Sequence, residues 1–155
     1  MSTEVILGKP TLADVTSMQK LVAPYVEEGI ILYRNNDEVA NTIRSYTIAR
    51  IGREIVGFAA LYIYSQQLGE IRSLVVGRGH QRKGIGKKVV RALLEEGRHY
   101  GLKRILSLTF EKEFFLSLGF KEVSKEEVPE NKVWEDCIKC KLFPVCNESA
   151  LIIDL

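Results

Sequence analysis

The sequence predicts an α+β fold in which one mixed sheet is covered by helices. Three observations carry this expectation. Hydrophobic spacing switches between helical and strand periods in the order β-α-α-β-β-β-α-β-α-β, which is not the regular alternation of a doubly wound fold. Gly52-Arg53 reads as a tight turn between two strand-like runs, so part of the sheet is a hairpin. The glycine-rich, basic stretch Gly77 to Lys83 joins a strand to an amphipathic helix.

Val5 to Leu7 is a short strand. After Pro10, Thr11 and Asp14 place a hydroxyl and a carboxylate where the first turn of a helix favours them. Val15, Met18, Leu21, Val22, Tyr25 and Val26 then form one apolar stripe, ended by Gly29. A shorter helix follows from Asn36 to Arg44. Tyr46 to Ile51 and Glu54 to Tyr64 are the hairpin strands, Ser65 to Gly69 a loop, and Glu70 to Val76 the next strand. Ile85, Val89, Leu93 and Leu94 mark a helix that stops at Gly101. Arg104 to Thr109 is a strand, Glu111 to Leu118 a short helix ended by Gly119, and Phe120 to Val123 a strand. Beyond Pro129 the pattern is less regular. The expected organisation is a core over residues 1–125, with residues 126–155 supplying a C-terminal strand and a cysteine-containing tail packed on the same domain.

Composition sets the outer bounds. A chain of 155 residues is one domain's worth, and 46% apolar with 27% charged residues excludes wholesale disorder. The formal net charge of +2 is too small for a bulk grip on nucleic acid, and no aromatic platform lies beside the basic loop. The longest apolar run, Phe58 to Tyr64, falls well short of the roughly 18 residues of a membrane span. MSTEVILGKP lacks the basic-then-apolar order of a signal peptide, and three cysteines do not make a disulfide framework. A cytoplasmic protein is expected, without membrane or nucleic-acid partners.

The chemistry concentrates in Val75 to Lys88. Its glycines fall where a strand gives way to a helix, and free N–H groups there, with the helix dipole, make an anion site. Gly84 and Gly86 allow a phosphate group close to the backbone, and Arg78, Arg82, Lys83, Lys87 and Lys88 add local charge. A diphosphate suits this loop better than a metal. It is not a nucleotide P-loop, because Gly86-Lys87 is followed by Lys88, nor a dinucleotide fingerprint, because Gly77 and Gly79 are followed by Arg82. A basic surface turn has the same composition.

Gln81-Arg82-Lys83-Gly84-Ile85-Gly86 is similar to the acyl-CoA loop Q/R-x-x-G-x-G/A of the GNAT N-acetyltransferase superfamily. Phe114-Phe115-Leu116-Ser117-Leu118-Gly119-Phe120 stands at that superfamily's second signature, and the resemblance covers roughly residues 3 to 125. It implies a mostly antiparallel central sheet with helices on both faces and acetyl-CoA as co-substrate, without a catalytic metal. Arg82 to Lys87 and Gln81 would bind its pyrophosphate, with Leu74, Val75 and Val76 aligning the pantetheine. Transfer would be direct, within a ternary complex.

A narrower resemblance is to the N-acetylglutamate synthases, in particular the short stand-alone type. It rests on Leu32-Tyr33-Arg34, Gly57-Phe58-Ala59-Ala60-Leu61, Gly69 to Val76, and Gly101-Leu102-Lys103-Arg104-Ile105 with Leu108-Thr109. It implies Glu70 as general base, Leu32 and Arg34 at the substrate, and Ser73 touching it through its main chain. Two carboxylates need cations, and Arg72 joins Arg34 as a candidate. Many superfamily members use a tyrosine to protonate the leaving thiolate. Here Phe114 and Phe115 stand in that region, and Thr109 matches the hydroxyl proposed in the synthases; a strand end or helix cap accounts for it equally. The C-terminal Arg-x-Ser of larger synthases is not plainly present, and Lys139 is the nearest cation. Their amino-acid-kinase domain has no counterpart in these 155 residues.

Cys137, Cys140 and Cys146 are expected as reduced thiols first, and as ligands of a structural zinc second. The functional expectation is N-acetylation of a free amino acid, L-glutamate foremost, at the start of arginine biosynthesis. The alternatives are another amine (a polyamine, an aminoglycoside or a protein N-terminus) and a non-catalytic acyl-CoA sensor. Homodimerisation is the base-rate expectation for a domain with an exposed sheet edge.

Overall fold

In a computed structural model, residues 4–124, 127–128 and 148–155 are described. The centre of the sheet is a hairpin. β2 (Tyr46–Ile51) and β3 (Glu54–Ile63) pair antiparallel around Gly52, whose φ of 61° is the left-handed turn conformation that glycine adopts without strain. β1 (Val5–Gly8) pairs with β2 on the outer side, and β4 (Leu68–Val76) with β3 on the inner. β5 (Arg104–Thr109) then runs parallel to β4. The remaining strands, β6 (Lys121–Val123) and β7 (Ser149–Asp154), complete a seven-stranded sheet of order β1-β2-β3-β4-β5-β7-β6. Every neighbouring pair except β4–β5 is antiparallel.

Both faces are covered, as the strand alternation requires. On one face Ala49, Ala59 and Leu61 meet Ile85, Val89 and Leu93 of α3 (Ile85–Tyr100), with Phe115 of α4 (Lys112–Leu116). On the other face Ile48, Phe58 and Ala60 meet Met18 and Val22 of α1 (Val15–Glu27) and Val39 of α2 (Asn36–Asn41). One-residue steps along β2 and β3 therefore switch a side chain from one core to the other. Among the described residues no helix is long and apolar enough to cross a membrane.

Element bounds differ from the expected ones in several places; α4, for one, spans Lys112–Leu116 rather than Glu111 to Leu118. α2 ends at Asn41 rather than Arg44, because Thr42 (φ −106°, ψ 20°) leaves the helical region and residues 43–45 tighten into a 3₁₀ turn. β4 begins at Leu68, two residues early. The Ser65 hydroxyl accepts hydrogen bonds from the amides of Gln67 and Leu68, and Tyr64 N–H bonds Leu68 O at 3.0 Å, so the loop closes as a tight hairpin turn. The expected C-terminal strand, β7, inserts between β5 and β6, a position the sequence reading did not assign.

The approach to α1 is pinned by Asp14. Its carboxylate accepts hydrogen bonds from the Thr11 amide at 2.8 Å and from Arg50 Nη2 at 2.8 Å, which hold its pKa below the ordinary 3.8. A depressed carboxylate stabilises the fold above its unfolded pKa and loses that contribution as pH falls through its folded one. Asp14→Asn is therefore expected to cost about 1 kcal/mol at pH 7. In denaturant titrations the gap to the wild type should close as pH drops below 3.8; a gap independent of pH would exclude the charge as its source.

Candidate active site

The site exists because β4 and β5 stop pairing midway. Their parallel register runs from Leu68 opposite Arg104 to Ile71 opposite Ser107 and ends there. β4 bends at a bulge, where Phe58 pairs with Val75 and Ala60 with Arg72, so two residues, Ser73 and Leu74, stand opposite Ala59. Ser73 takes φ 57°, uncommon for a residue with a side chain. β5 meanwhile keeps its pairing with β7, Leu108 to Ala150 and Thr109 to Ser149. A cleft of about 530 Å³ opens between the diverging strands.

One end of the cleft is the basic loop and the start of α3. Arg82 (φ 64°) and Gly84 (φ 78°) both adopt left-handed backbone. They turn the chain so that Gly84 caps α3, with Lys88 N–H bonding Gly84 O at 3.1 Å. The amides of Ile85, Gly86 and Lys87 precede that first helical bond and line the cleft. A Cβ on Gly86 would lie 3.3 Å from Phe114 Cζ, so a larger residue here requires the Phe114 ring to shift. Tyr25 of α1 braces the loop: its hydroxyl donates to Val76 O at 2.8 Å and accepts from Gln81 Nε2 at 2.6 Å. Arg78 pairs with Glu28 on the outside. Backbone N–H groups at a helix N-terminus, flanked by Arg82 and Lys87, fit a pyrophosphate.

The other end is acidic and cationic together. Glu70 lies within β4 and is 6% exposed. Its Oε1 accepts from Arg72 Nε at 2.8 Å and from the Tyr64 hydroxyl. Arg72 in turn donates through Nη2 to the Tyr64 oxygen and stacks 4.1 Å from the centroid of the Tyr62 ring. Arg34 sits just before α2, whose start is fixed by a capping box: Glu38 N–H donates to Asn35 Oδ1 at 2.9 Å and Asn35 N–H to Glu38 Oε1 at 3.2 Å. The Arg34 carbonyl also accepts from Gln19 Nε2 at 2.7 Å, tying the loop to α1. Burial raises the Tyr46 pKa and the charge of Arg34 opposes it, so that guanidinium lies near the phenol. Thr109 ends β5, with Oγ1 accepting from Glu111 N–H at 2.8 Å and its own proton still available to donate.

Of the described residues expected to bind or catalyse, Lys83 alone is off the cleft wall; it points to solvent. The wall holds Leu32, Arg34, Glu70, Arg72, Ser73, Leu74, Val75, Val76, Gln81, Arg82, Gly84, Ile85, Gly86, Lys87 and Thr109. Lys139, Cys137, Cys140 and Cys146 lie outside the described residues. Sequence reasoning missed Tyr64, Ser107 and Glu148. Ser107 is 2% exposed and lines the cleft from the register at which β4 and β5 separate. The alternation of Ser107 with Thr109 along β5 was the available signal for it.

A cleft with helix amides and cations at one end and a buried carboxylate with arginines at the other is built to hold a phosphorylated acyl carrier beside a nucleophile. The fold and site define an acyl-transfer enzyme. The sequence signature of the acetyltransferase (GNAT) family matches residues 14–120, and the chain belongs to that family and is an acetyltransferase. It is 34% identical over 144 residues to an uncharacterised N-acetyltransferase of Chlorobaculum tepidum, covering 91% of this chain and 90% of that one. It is 30% identical over 135 residues to the amino-acid acetyltransferase of Mycobacterium tuberculosis, covering 85% of this chain and 77% of the relative. Among solved structures, N-acetylglutamate synthase from Neisseria gonorrhoeae, complexed with coenzyme A and N-acetyl-glutamate, superposes with a TM-score of 0.88 at 25% identity. That match covers 100% of this chain but 36% of the synthase, so the chain spans about a third of the larger protein.

Proposed function

We propose that the protein transfers the acetyl group of acetyl-CoA to the α-amino group of a free amino acid, L-glutamate foremost, the entry reaction of arginine biosynthesis. The observation that carries this reading is that a buried carboxylate, Glu70, lines the same cleft as Arg34 and Arg72. A substrate with two carboxylates needs cations beside its amine, and arginine meets a carboxylate in a planar, bidentate fashion. The amino-acid acetyltransferase among its relatives and the N-acetylglutamate synthase among its structural neighbours support the same acceptor.

In this mechanism the amides of Ile85 to Lys87, with Arg82 and Lys87, hold the CoA pyrophosphate, and the main chain of Leu74 to Val76 aligns the pantetheine. Holding thioester and amine side by side in one cleft supplies much of the acceleration. An α-ammonium must lose a proton before it attacks, and Glu70 accepts it. The nitrogen then bonds the acetyl carbon, the carbon–sulfur bond breaks, and the second proton of the attacking nitrogen passes through the Thr109 hydroxyl to the departing thiolate, leaving Thr109 protonated as before. Glu148 on the same wall favours a second reading, a cationic acceptor such as a polyamine.

Thiol release from acetyl-CoA across the free amino acids, with polyamines and a peptide N-terminus as controls, separates the two. Turnover on glutamate, or on its neighbours glutamine and aspartate, is expected. Turnover confined to polyamines or peptides would overturn the acceptor and keep the acetyl transfer.

A further inference from the structure

We propose that Tyr64 is a positioning residue for Glu70: its hydroxyl and the Arg72 guanidinium together hold one carboxylate oxygen and turn the other toward the acceptor amine. The inference rests on the reading of Glu70 as the base. Three hydrogen bonds close a triangle. Tyr64 Oη–H donates to Glu70 Oε1, Arg72 Nε donates to the same Oε1 at 2.8 Å, and Arg72 Nη2 donates to the Tyr64 oxygen. Both donors fall on Oε1, so Oε2 is the oxygen neither of them takes. The side chains of Glu70 and Arg72 are 8% and 11% exposed, so water contributes little to their orientation.

The fold aims the Tyr64 hydroxyl at this point. Tyr64 follows β3 directly, and the register Tyr62 to Glu70 brings the end of β3 beside the carboxylate. The turn locked by the Ser65 hydroxyl holds the hairpin closed, and the Tyr64 ring lies 5.5 Å from that of Tyr62, on which Arg72 stacks. Two aromatic rings and one turn thus fix both donors. Burial, with the Glu70 carboxylate next in importance, pushes the Tyr64 pKa far above the ordinary 10.0, which keeps the phenol protonated as a donor.

Positioning acts on turnover rather than on CoA binding, because Tyr64 is remote in sequence and contact from the pyrophosphate loop. Removing a hydrogen bond to a charged group while keeping the ring should lower kcat about tenfold in Tyr64→Phe, with the KM for acetyl-CoA within about twofold. Groups acting as one unit are strongly non-additive. In a Glu70→Gln background the same substitution should therefore change the residual rate by less than about twofold.

The test measures Tyr64→Phe, Glu70→Gln and the double variant with acetyl-CoA and L-glutamate, or the amine that gives turnover in the panel. 3-Fluorotyrosine at position 64 keeps the hydroxyl and should retain wild-type kcat. Alongside, the ¹³C carboxyl resonance of Glu70, assigned by its disappearance in Glu70→Gln, is expected to move in Tyr64→Phe. An unchanged kcat in Tyr64→Phe, an equal loss in the Glu70→Gln background, or an unmoved resonance overturns the inference. Wild-type turnover by Glu70→Gln would instead remove Glu70 as the base, and the resonance alone would then report whether Tyr64 orients it.

Discussion

Glu70→Gln is expected to lower kcat by about 10²–10⁴-fold, the range a positioned general base contributes, while acetyl-CoA still binds. The two ends of the cleft explain the separation. In the proposed mechanism CoA binds the loop from Gln81 to Lys87 and the start of α3, whereas Glu70 lies on β4 before the bulge at Ser73. Glutamine keeps the shape and can still accept from Arg72 Nε and the Tyr64 hydroxyl, but it cannot take a proton from an ammonium. The substitution also removes the Glu70 charge from its ion pair with Arg72, at a site where both side chains are about nine-tenths buried. A loss of stability of up to about 3 kcal/mol is the accompanying expectation, the low end of the cost of breaking a buried pair, because the amide preserves the hydrogen bonds. Calorimetric titration with acetyl-CoA, thermal unfolding and turnover on the same preparation separate the effects. Wild-type turnover with an unchanged melting profile would exclude Glu70 from both the reaction and the ion pair.

The parts of this molecule that were legible in the sequence are those written in short-range pattern. The alternation of Ile48, Phe58 and Ala60 with Ala49, Ala59 and Leu61 fixes which side of β2 and β3 faces which helix. The glycines at 84 and 86 marked the start of α3, and the backbone there disfavours a side chain, through a left-handed φ at Gly84 and the approach of Phe114 at Gly86. What escaped was non-local. Nothing in Ser149 to Asp154 says that the strand inserts between β5 and β6, since any sheet edge offers the same hydrogen bonds. Ser65 to Gly69 reads as a loop, yet one serine hydroxyl closes it two residues sooner. Arg72 was expected to face the substrate's carboxylate, and it does line the cleft. Period-two spacing also puts it on the same strand face as Glu70, and the two pair. Tyr64 needed the hairpin register before it could be placed beside either of them.

Gly86→Val is expected to raise the KM for acetyl-CoA at least about 100-fold, the scale on which displacement of a positioned group by about 1 Å acts. The first added carbon alone would stand 3.3 Å and 3.4 Å from Phe114 Cζ and Cε1 and 3.6 Å from Val76 Cγ2. The valine methyl groups reach further, and the half-buried Phe114 ring could give way only by shifting against its neighbours or into the cleft it lines. Its ring packs edge-on against Phe115 at 5.1 Å, and Phe115 is 2% exposed and stacked on Phe120. The Phe114–Phe115 pair therefore acts as a stop that holds α4 against the start of α3. The strain passes to the amides of Ile85, Gly86 and Lys87, the groups proposed to meet the pyrophosphate. Gly84→Ala offers a contrasting perturbation. No atom lies within 4 Å of its added carbon, but φ of 78° must be held by a residue that disfavours it. That substitution should cost about 1 kcal/mol of stability and a smaller rise in KM, because the cost is conformational and not steric. Steady-state kinetics on both variants, with direct acetyl-CoA titration, provide the check. Equal KM values for Gly86→Val and the wild type would mean that the CoA pyrophosphate is bound elsewhere than at the N-terminus of α3.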